Sequence, residues 1–429
     1  MLFRKNEAKI RAFINESVYK SMLLVGVRQC GKTTLLKNMF KDENMLYCNL
    51  EERSDIADVF NGNLTATSLI EDIELLLNSY FDNDSLKILV IDEIQVNPKA
   101  ITALKYFDES NENIKVIGSG SLLGVQLKQG DFSFPVGKVD LLNMYPLDFE
   151  EFLINIKMNN HAKRIRECFE TNKPMPESLH EMLLETLNTF LEVGSMPQAV
   201  DAFIKGNRKD IDLIHRNLNE GYLNDIAKYI ANNDKAYMRL ILENLGNELL
   251  KENQKFKLSN LKSGLKYQAV ENSFSWLANT DITYKASILA NKKVTLPLKA
   301  NIKKNRFKLF YCDTALLLSK MNYNLSQVKN NDNIYIGVVI ENYVATELYK
   351  NYNKELYSFN DNSKEIDFLI EQDNMVIPIE VKAARNTKSK SLKVFMEQNQ
   401  TELAYRVSQK NFGMENNIKS IPLYASFLI

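Results

Sequence analysis

Near the start of the chain, Gly26-Val27-Arg28-Gln29-Cys30-Gly31-Lys32-Thr33 places two glycines around four residues, followed by Lys and a hydroxyl. This pattern can hold phosphate. The glycines let the backbone turn tightly with its N–H groups facing inward. A helix starting near Lys32 would add the positive end of its dipole. Lys32 is expected to reach the β- and γ-phosphates of ATP, and the Thr33 hydroxyl to be a ligand of Mg²⁺. Gly26, Val27, Arg28, Gln29, Cys30, Gly31, Lys32, Thr33 and Thr34 thus form the expected nucleotide cradle. A glycine-rich turn before an ordinary helix is the bland alternative. A chance match in a chain this long is on the order of one or two in a hundred.

A second stretch supplies what that cradle needs. Ile88-Leu89-Val90-Ile91-Asp92-Glu93 is an apolar run ending in two carboxylates. Such runs suit strands buried on both faces of a parallel sheet, whose carboxyl ends are where ligands bind. Asp92 is expected to hold Mg²⁺ through water, and Glu93 to orient and polarise the attacking water. Lys115 to Ser121 reads as another buried strand ending in small polar residues. Ser119 or Ser121 would contact the γ-phosphate or the water, or else the segment is a plain serine/glycine turn.

The C-terminal part carries a different constellation. Glu365 to Ile370 and Val376 to Lys382 read as strands, and Gly337 to Val344 opens a helix with Glu341 among apolar residues. Glu380 and Lys382, two apart on a strand, share a face. With Asp367 they make the Asp…Glu-x-Lys set of restriction-type nucleases. Asp367 and Glu380 would bind Mg²⁺ or Mn²⁺, Lys382 would sit beside the water, and Glu341 would support them. A scaffold in which Lys382 merely pairs with a carboxylate fits the same residues.

The elements that must position these groups follow from periodicity. Glu7 to Tyr19 reads as a helix, Met22 to Val25 as the first strand, Met45 to Leu50 as the second, and Leu69 to Tyr80 as a helix. Alternating strands and helices argue a three-layer α/β domain. Asp148–Ile156, Glu177–Val193 and Asp210–Tyr229 read as helices of a connector, broken at Gly194-Ser195-Met196-Pro197. From 251 to 310 there are thirteen Lys or Arg against three Asp or Glu. Helical stretches at Tyr237–Lys251, Leu258–Leu265 and Tyr267–Leu277 precede strand-like Asp281–Ile288 and Lys293–Leu296. That order on a basic background suggests a winged helix contacting DNA phosphates, or a solvated basic face.

The 429 residues have zero formal net charge, 45% hydrophobic and 25% charged content, which describes a folded protein and excludes a uniformly basic coat. No apolar run approaches the roughly 20 residues of a membrane span, and the first residues lack a signal-peptide core. Cys30, Cys48, Cys168 and Cys312 have no zinc spacing and read as reduced thiols in a cytoplasmic protein.

The layout resembles the prokaryotic AAA-type ATPases that carry a C-terminal domain of unknown function with a restriction-endonuclease-like core. The resemblance rests on Gly26–Thr34, Ile91–Gln95, Gly118–Leu123, Gly137–Phe152, Gly194–Pro197, Asp313–Leu317, Gly337–Val344, Glu365–Phe368, Ile379–Lys382 and Ile421–Tyr424. It implies ATP binding and hydrolysis, a winged-helix linker and a nuclease-like tail. The family usually has Gly-Arg where this chain has Gly137-Lys138; if that Arg acts on a neighbour's ATP, Lys138 lacks its planar fork.

The expected fold is therefore α/β: a P-loop NTPase parallel sheet with helices on both faces (1–155), a helical connector (156–235), a winged helix (236–308) and a restriction-endonuclease-like α/β domain (309–429). The expected function is a Mg²⁺-dependent ATPase of the AAA type with a DNA-associated nuclease-like module. The alternative is a slow nucleotide-gated switch with a non-catalytic tail. ATP and Mg²⁺ are the expected cofactors, duplex DNA a candidate partner and an oligomer a candidate state, with no membrane partner.

Overall fold

The computed structural model describes residues 1–121, 137–229, 232–250, 256–291, 293–323, 325, 333–352, 355–361, 364–384 and 390–429. The last residues of the Gly118–Leu123 stretch, Lys251 and Lys292 lie outside them. So do the side chains of Lys303 and Lys304. The chain divides into two compact units, 1–146 with 279–281, and 147–278 with 282–429.

The first unit is built on a five-stranded sheet. Strands β1 (Ser21–Val25), β2 (Met45–Asn49), β3 (Lys87–Asp92), β4 (Ile114–Gly120) and β5 (Asp140–Asn143) lie in the order β2-β3-β4-β1-β5. All four pairings are parallel. Helices α1 (Asn6–Glu16), α2 (Lys32–Met39), α3 (Ser54–Val59), α4 (Ala66–Leu77) and α5 (Pro98–Glu109) cover it. Alternation along the strands decides which helix meets which face. Leu23, Leu46, Leu89, Ile91 and Val116 share one apolar cluster with Ile56, Leu69, Ile73, Leu104 and Phe107 of α3, α4 and α5. Lys115, one residue from Val116, points the other way and lies over the Phe13 ring of α1, 4.8 Å from its centroid. Lys115 also donates to the Ser17 and Tyr19 carbonyls. The expected parallel sheet with helices on both faces is what the chain forms.

The second unit carries a mixed eight-stranded sheet. Its strands are β6 (Thr283–Leu289), β7 (Ile302–Tyr311), β8 (Leu356–Asn360), β9 (Glu365–Gln372), β10 (Met375–Val381), β11 (Ala404–Ser408), β12 (Gly413–Glu415) and β13 (Ile418–Pro422). They run in the order β12-β13-β11-β10-β9-β8-β6-β7. The helical stretches fall close to expectation at Phe149–Asn155, Glu177–Val193 and Ile211–Tyr229. Phe149–Asn155 starts with a capping box between Asp148 and Glu151.

The ribbon expected at 281–288 and 293–296 is different. Lys293–Leu296 is not a strand; β7 at 302–311 pairs with β6 instead, and β6 pairs in parallel with β8. Both strands therefore belong to the C-terminal sheet. The helix at Leu258 ends by Leu261, and the next is split into a 3₁₀ turn at Tyr267–Ala269 and a helix at Glu271–Asn279.

Two distant stretches of the second unit meet through one carboxylate. Asp313 caps the helix Thr314–Lys320 by accepting from Leu316 N at 2.7 Å. Its other oxygen accepts from both the N–H and the hydroxyl of Ser195, each at 2.5 Å. Gly194 has φ +82°, and a Cβ there would lie 2.8 Å from the Ala315 Cβ. The chain thus needs glycine on both steric and conformational grounds. Among the described residues, no helix is long and apolar enough to cross a membrane.

Candidate functional site

The loop after β1 has the form its composition demands. Gly31 caps α2 with φ 97°, and Gln29 also has positive φ, at 64°. Gly26 is held so close to the chain that a Cβ would fall 2.0 Å from the Met144 carbonyl oxygen. Val27 and Cys30 are buried, Arg28 is half-buried, and Gln29 and Thr34 are exposed. Lys32 is buried, its Nζ donating to the Gly26 carbonyl at 2.9 Å and the Val27 carbonyl at 3.1 Å, with Cys30 Sγ at 3.8 Å. The ammonium thus lies inside the loop and is carried by backbone acceptors that a phosphate would replace.

Asp92, at the end of β3, is the centre of the site. It is 1% exposed and both its oxygens are shared. Oδ2 accepts from the Thr33 hydroxyl at 2.6 Å and the Tyr47 hydroxyl at 2.7 Å. Oδ1 accepts from the Ser119 hydroxyl at 2.5 Å and Glu93 N at 3.1 Å. The register Asn49↔Asp92↔Ser119 across β2, β3 and β4 brings these groups level. Ser121 is buried beyond β4 and makes no hydrogen bond to Asp92 or Glu93. Hard oxygen donors at Thr33 and Asp92, next to a loop that holds the Lys32 ammonium, fit Mg²⁺ and a triphosphate.

Glu93 follows with φ 51°, a left-handed turn that swings its side chain off the strand direction. Gln95 Nε2 donates to Glu93 Oε2. Burial pushes the Glu93 carboxyl above the usual carboxylate range; the Gln95 bond pulls it back, and the Asp92 charge raises it again. An upward shift makes the ionised carboxylate a stronger proton acceptor than a solvent-exposed one. Burial, then the bond to Asp92, keeps the Tyr47 phenol protonated at any ordinary pH. Burial, with the Asp92 charge behind it, pushes the Cys48 thiol up to about 12, so it is inert.

Three residues here were not among the expected site residues. Tyr47 reaches Asp92 only because β2 lies beside β3, and Lys37 Nζ covers its ring 4.1 Å from the centroid. Gln95 lies in a stretch that carried the family resemblance, but its hold on Glu93 depends on the turn. Arg4 is 4% exposed; it donates to the Cys30 carbonyl at 2.7 Å and also to the Tyr145 carbonyl. It ties the phosphate loop to the segment after β5. Lys138 lies 3.8 Å from Asp108 and 3.6 Å from Glu109, so its charge is engaged within its own unit.

The C-terminal set also converges. Asp367 Oδ2 accepts from Val381 N at 2.7 Å, which places it beside the end of β10. Lys382, one residue past β10, sits 3.1 Å from Glu380 Oε1. Burial lowers the Lys382 pKa, but Asp367 and Glu380 outweigh it and hold the ammonium charged. Glu380 is 6% exposed, and its Oε2 is buried with no hydrogen-bond partner. That orphaned oxygen fits a cation. Glu341, expected to support the metal, accepts from Lys308 Nζ at 2.8 Å. Lys308 of β7 lies in the basic stretch expected to contact DNA phosphates or to form a solvated face, yet it is 1% exposed. Lys285 is likewise drawn inward, over the Phe307 ring at 4.7 Å.

Residues 18–153 match the family model described as an AAA domain. Residues 184–327 and 336–425 match two models, each described as a domain of unknown function (DUF8612 and DUF4143). The N-terminal part is therefore an AAA-type P-loop domain, and the tail consists of domains of unknown function. No curated protein matches the chain. Among solved structures it is similar to the Walker-type ATPase of Pyrococcus abyssi, at 15% identity and TM-score 0.45, covering 75% of this chain and 96% of that one. It is also similar to the ORC1 protein of Aeropyrum pernix in complex with DNA, at 12% identity and TM-score 0.33, covering 75% and 93%. The RuvB Holliday junction branch migration motor of Thermotoga maritima matches at 13% identity and TM-score 0.29, covering 75% and 96%.

Proposed function

We propose that the chain binds ATP with Mg²⁺ and hydrolyses it, and that turnover is coupled to its C-terminal module at DNA. The observation that carries the reading is the Thr33–Asp92 pair beside Lys32, with Glu93 one residue on and turned away from the strand. Thr33 and Asp92 would hold Mg²⁺, which when bound would supply positive charge to the nucleotide phosphates. Lys32 would neutralise phosphate charge, Ser119 would hold Asp92 in place, and Glu93 would take a proton from water.

A nuclease-like role for Asp367, Glu380 and Lys382 is supported by their convergence and by the orphaned Glu380 Oε2. DNA contact is supported by the exposed Lys257, Lys262, Lys266, Lys293 and Lys299. A second reading, a slow nucleotide-gated switch with a scaffold tail, is favoured by Lys138 being held by Asp108 and Glu109. Measuring ATP turnover alone, with duplex DNA and with single-stranded DNA separates the two. Stimulation by either DNA supports the first; slow turnover indifferent to both supports the second.

A further inference from the structure

Lys308 changes what the C-terminal carboxylates can do. It is fully buried on β7, with Nζ 2.8 Å from Glu341 Oε1 and 2.9 Å from Glu365 Oε1. A buried ammonium is costly unless carboxylates compensate it, and two do so here. Burial alone would lower its pKa, but Glu341, Asp367 and Glu365 reverse that and keep it charged. The cluster then holds four carboxylates (Glu341, Glu365, Asp367, Glu380) and two ammoniums (Lys308, Lys382). Among these six residues the carboxylates outnumber the ammoniums by two, and Glu380 Oε2 is buried with no hydrogen-bond partner, with the buried Arg406 level with Glu380 on the next strand.

We propose that Lys308 is the resident cation of this cluster. It occupies Glu341 and Glu365, and it leaves Asp367 and Glu380 as the seat of a single divalent ion. The proposal rests on reading Asp367 and Glu380 as a cation site. Glu341 is then a partner of Lys308 and not a metal ligand. Among the described residues, no group of three or more His, Cys, Asp or Glu is arranged to hold a metal.

The test is calorimetric titration of the nucleotide-free full chain with Mn²⁺. The wild type should bind one ion that disappears in Asp367→Asn and persists in Glu341→Gln. Loss of a true ligand or its close support costs about tenfold or more in metal affinity, so a drop of that size in Glu341→Gln overturns the proposal. So do two ions at this cluster in the wild type. Lys308→Met should gain a second ion, and Mn²⁺ should raise its melting temperature more than it raises the wild type's. If Lys308→Met does not fold, the Glu341→Gln titration still decides. If the wild type binds no Asp367-dependent ion but Lys308→Met acquires one, the metal reading of Asp367 and Glu380 fails while the role of Lys308 stands. No Mn²⁺ bound by either protein overturns both.

Discussion

The Thr33 hydroxyl donates to Asp92 Oδ2 across 2.6 Å, joining the first turn of α2 to the end of β3. The same oxygen accepts from Tyr47 at 2.7 Å. A cation approaching Asp92 Oδ2 therefore competes with two hydroxyls, of which Thr33 is itself the suitable ligand.

Tyr47→Phe removes the other competitor and keeps the ring under Lys37. A neutral hydrogen bond is worth about 1 kcal/mol net, so the Mg²⁺ concentration for half-maximal turnover should fall by roughly 2–10-fold. Nucleotide affinity without Mg²⁺ should stay the same. A Mg²⁺ titration of turnover checks this, and an unchanged or higher requirement contradicts it.

Lys32→Ala removes the ammonium buried in the loop, and ATP affinity should drop at least tenfold with the fold retained. Gly26→Ala should do the same by another route, because its Cβ would meet the Met144 carbonyl at 2.0 Å and force the loop open. Calorimetry with a non-hydrolysable analogue reads both; wild-type affinity in either variant argues against the cradle.

Glu93 supplies a pH dependence. Its carboxyl is held above the usual range of about 4.3, mainly by burial. As a base it must be ionised, so turnover should decline on acidification from a pH above that ordinary value. Gln95 lowers the pKa by donating to Glu93, so Gln95→Leu should move the acidic limb to still higher pH. The stability sign is fixed too. A carboxyl with a raised folded pKa favours the folded state below its unfolded pKa, and that contribution is lost as pH rises through the folded value. Glu93→Gln should therefore melt at a higher temperature than the wild type at neutral pH.

Asp313→Ala strands three donors at once: Leu316 N, Ser195 N and the Ser195 hydroxyl. Losing a helix cap costs about 1 kcal/mol and each buried unsatisfied donor about 1–3. Destabilisation of about 3 kcal/mol or more is expected from urea unfolding, and a change under about 0.5 kcal/mol would contradict the cap's role.

The phosphate loop, Asp92 and Glu93 were legible because each motif is contiguous and lies at a strand end. Parallel pairing then brings the strand ends together without further information. Tyr47, Arg4 and Lys308 were not legible. Tyr47 looks like any half-buried strand residue until β2 lies against β3. Arg4 reads as a surface charge, yet it is spent on the carbonyls of Cys30 and Tyr145. Lys308 falls within the basic stretch expected to contact DNA or to be a solvated face, because residue type alone says exposed. Burying it needed Glu341, 33 residues later, to arrive on the helix Asn333–Asn351. The same bias misplaced the ribbon: the Lys-rich start of β7 hides a strand whose later residues, Phe307, Leu309 and Phe310, are core.

ATP hydrolysis by the wild type and by Glu93→Gln, at saturating Mg²⁺ and neutral pH, is the most direct measurement. Removing a general base costs roughly 10²–10⁴-fold, while the amide keeps the shape and leaves nucleotide binding intact. The expected result is measurable turnover in the wild type and a loss within that range in the variant, with ATP still bound. A wild type that binds no ATP, or a variant that hydrolyses it at the wild-type rate, would contradict the assignment of this site.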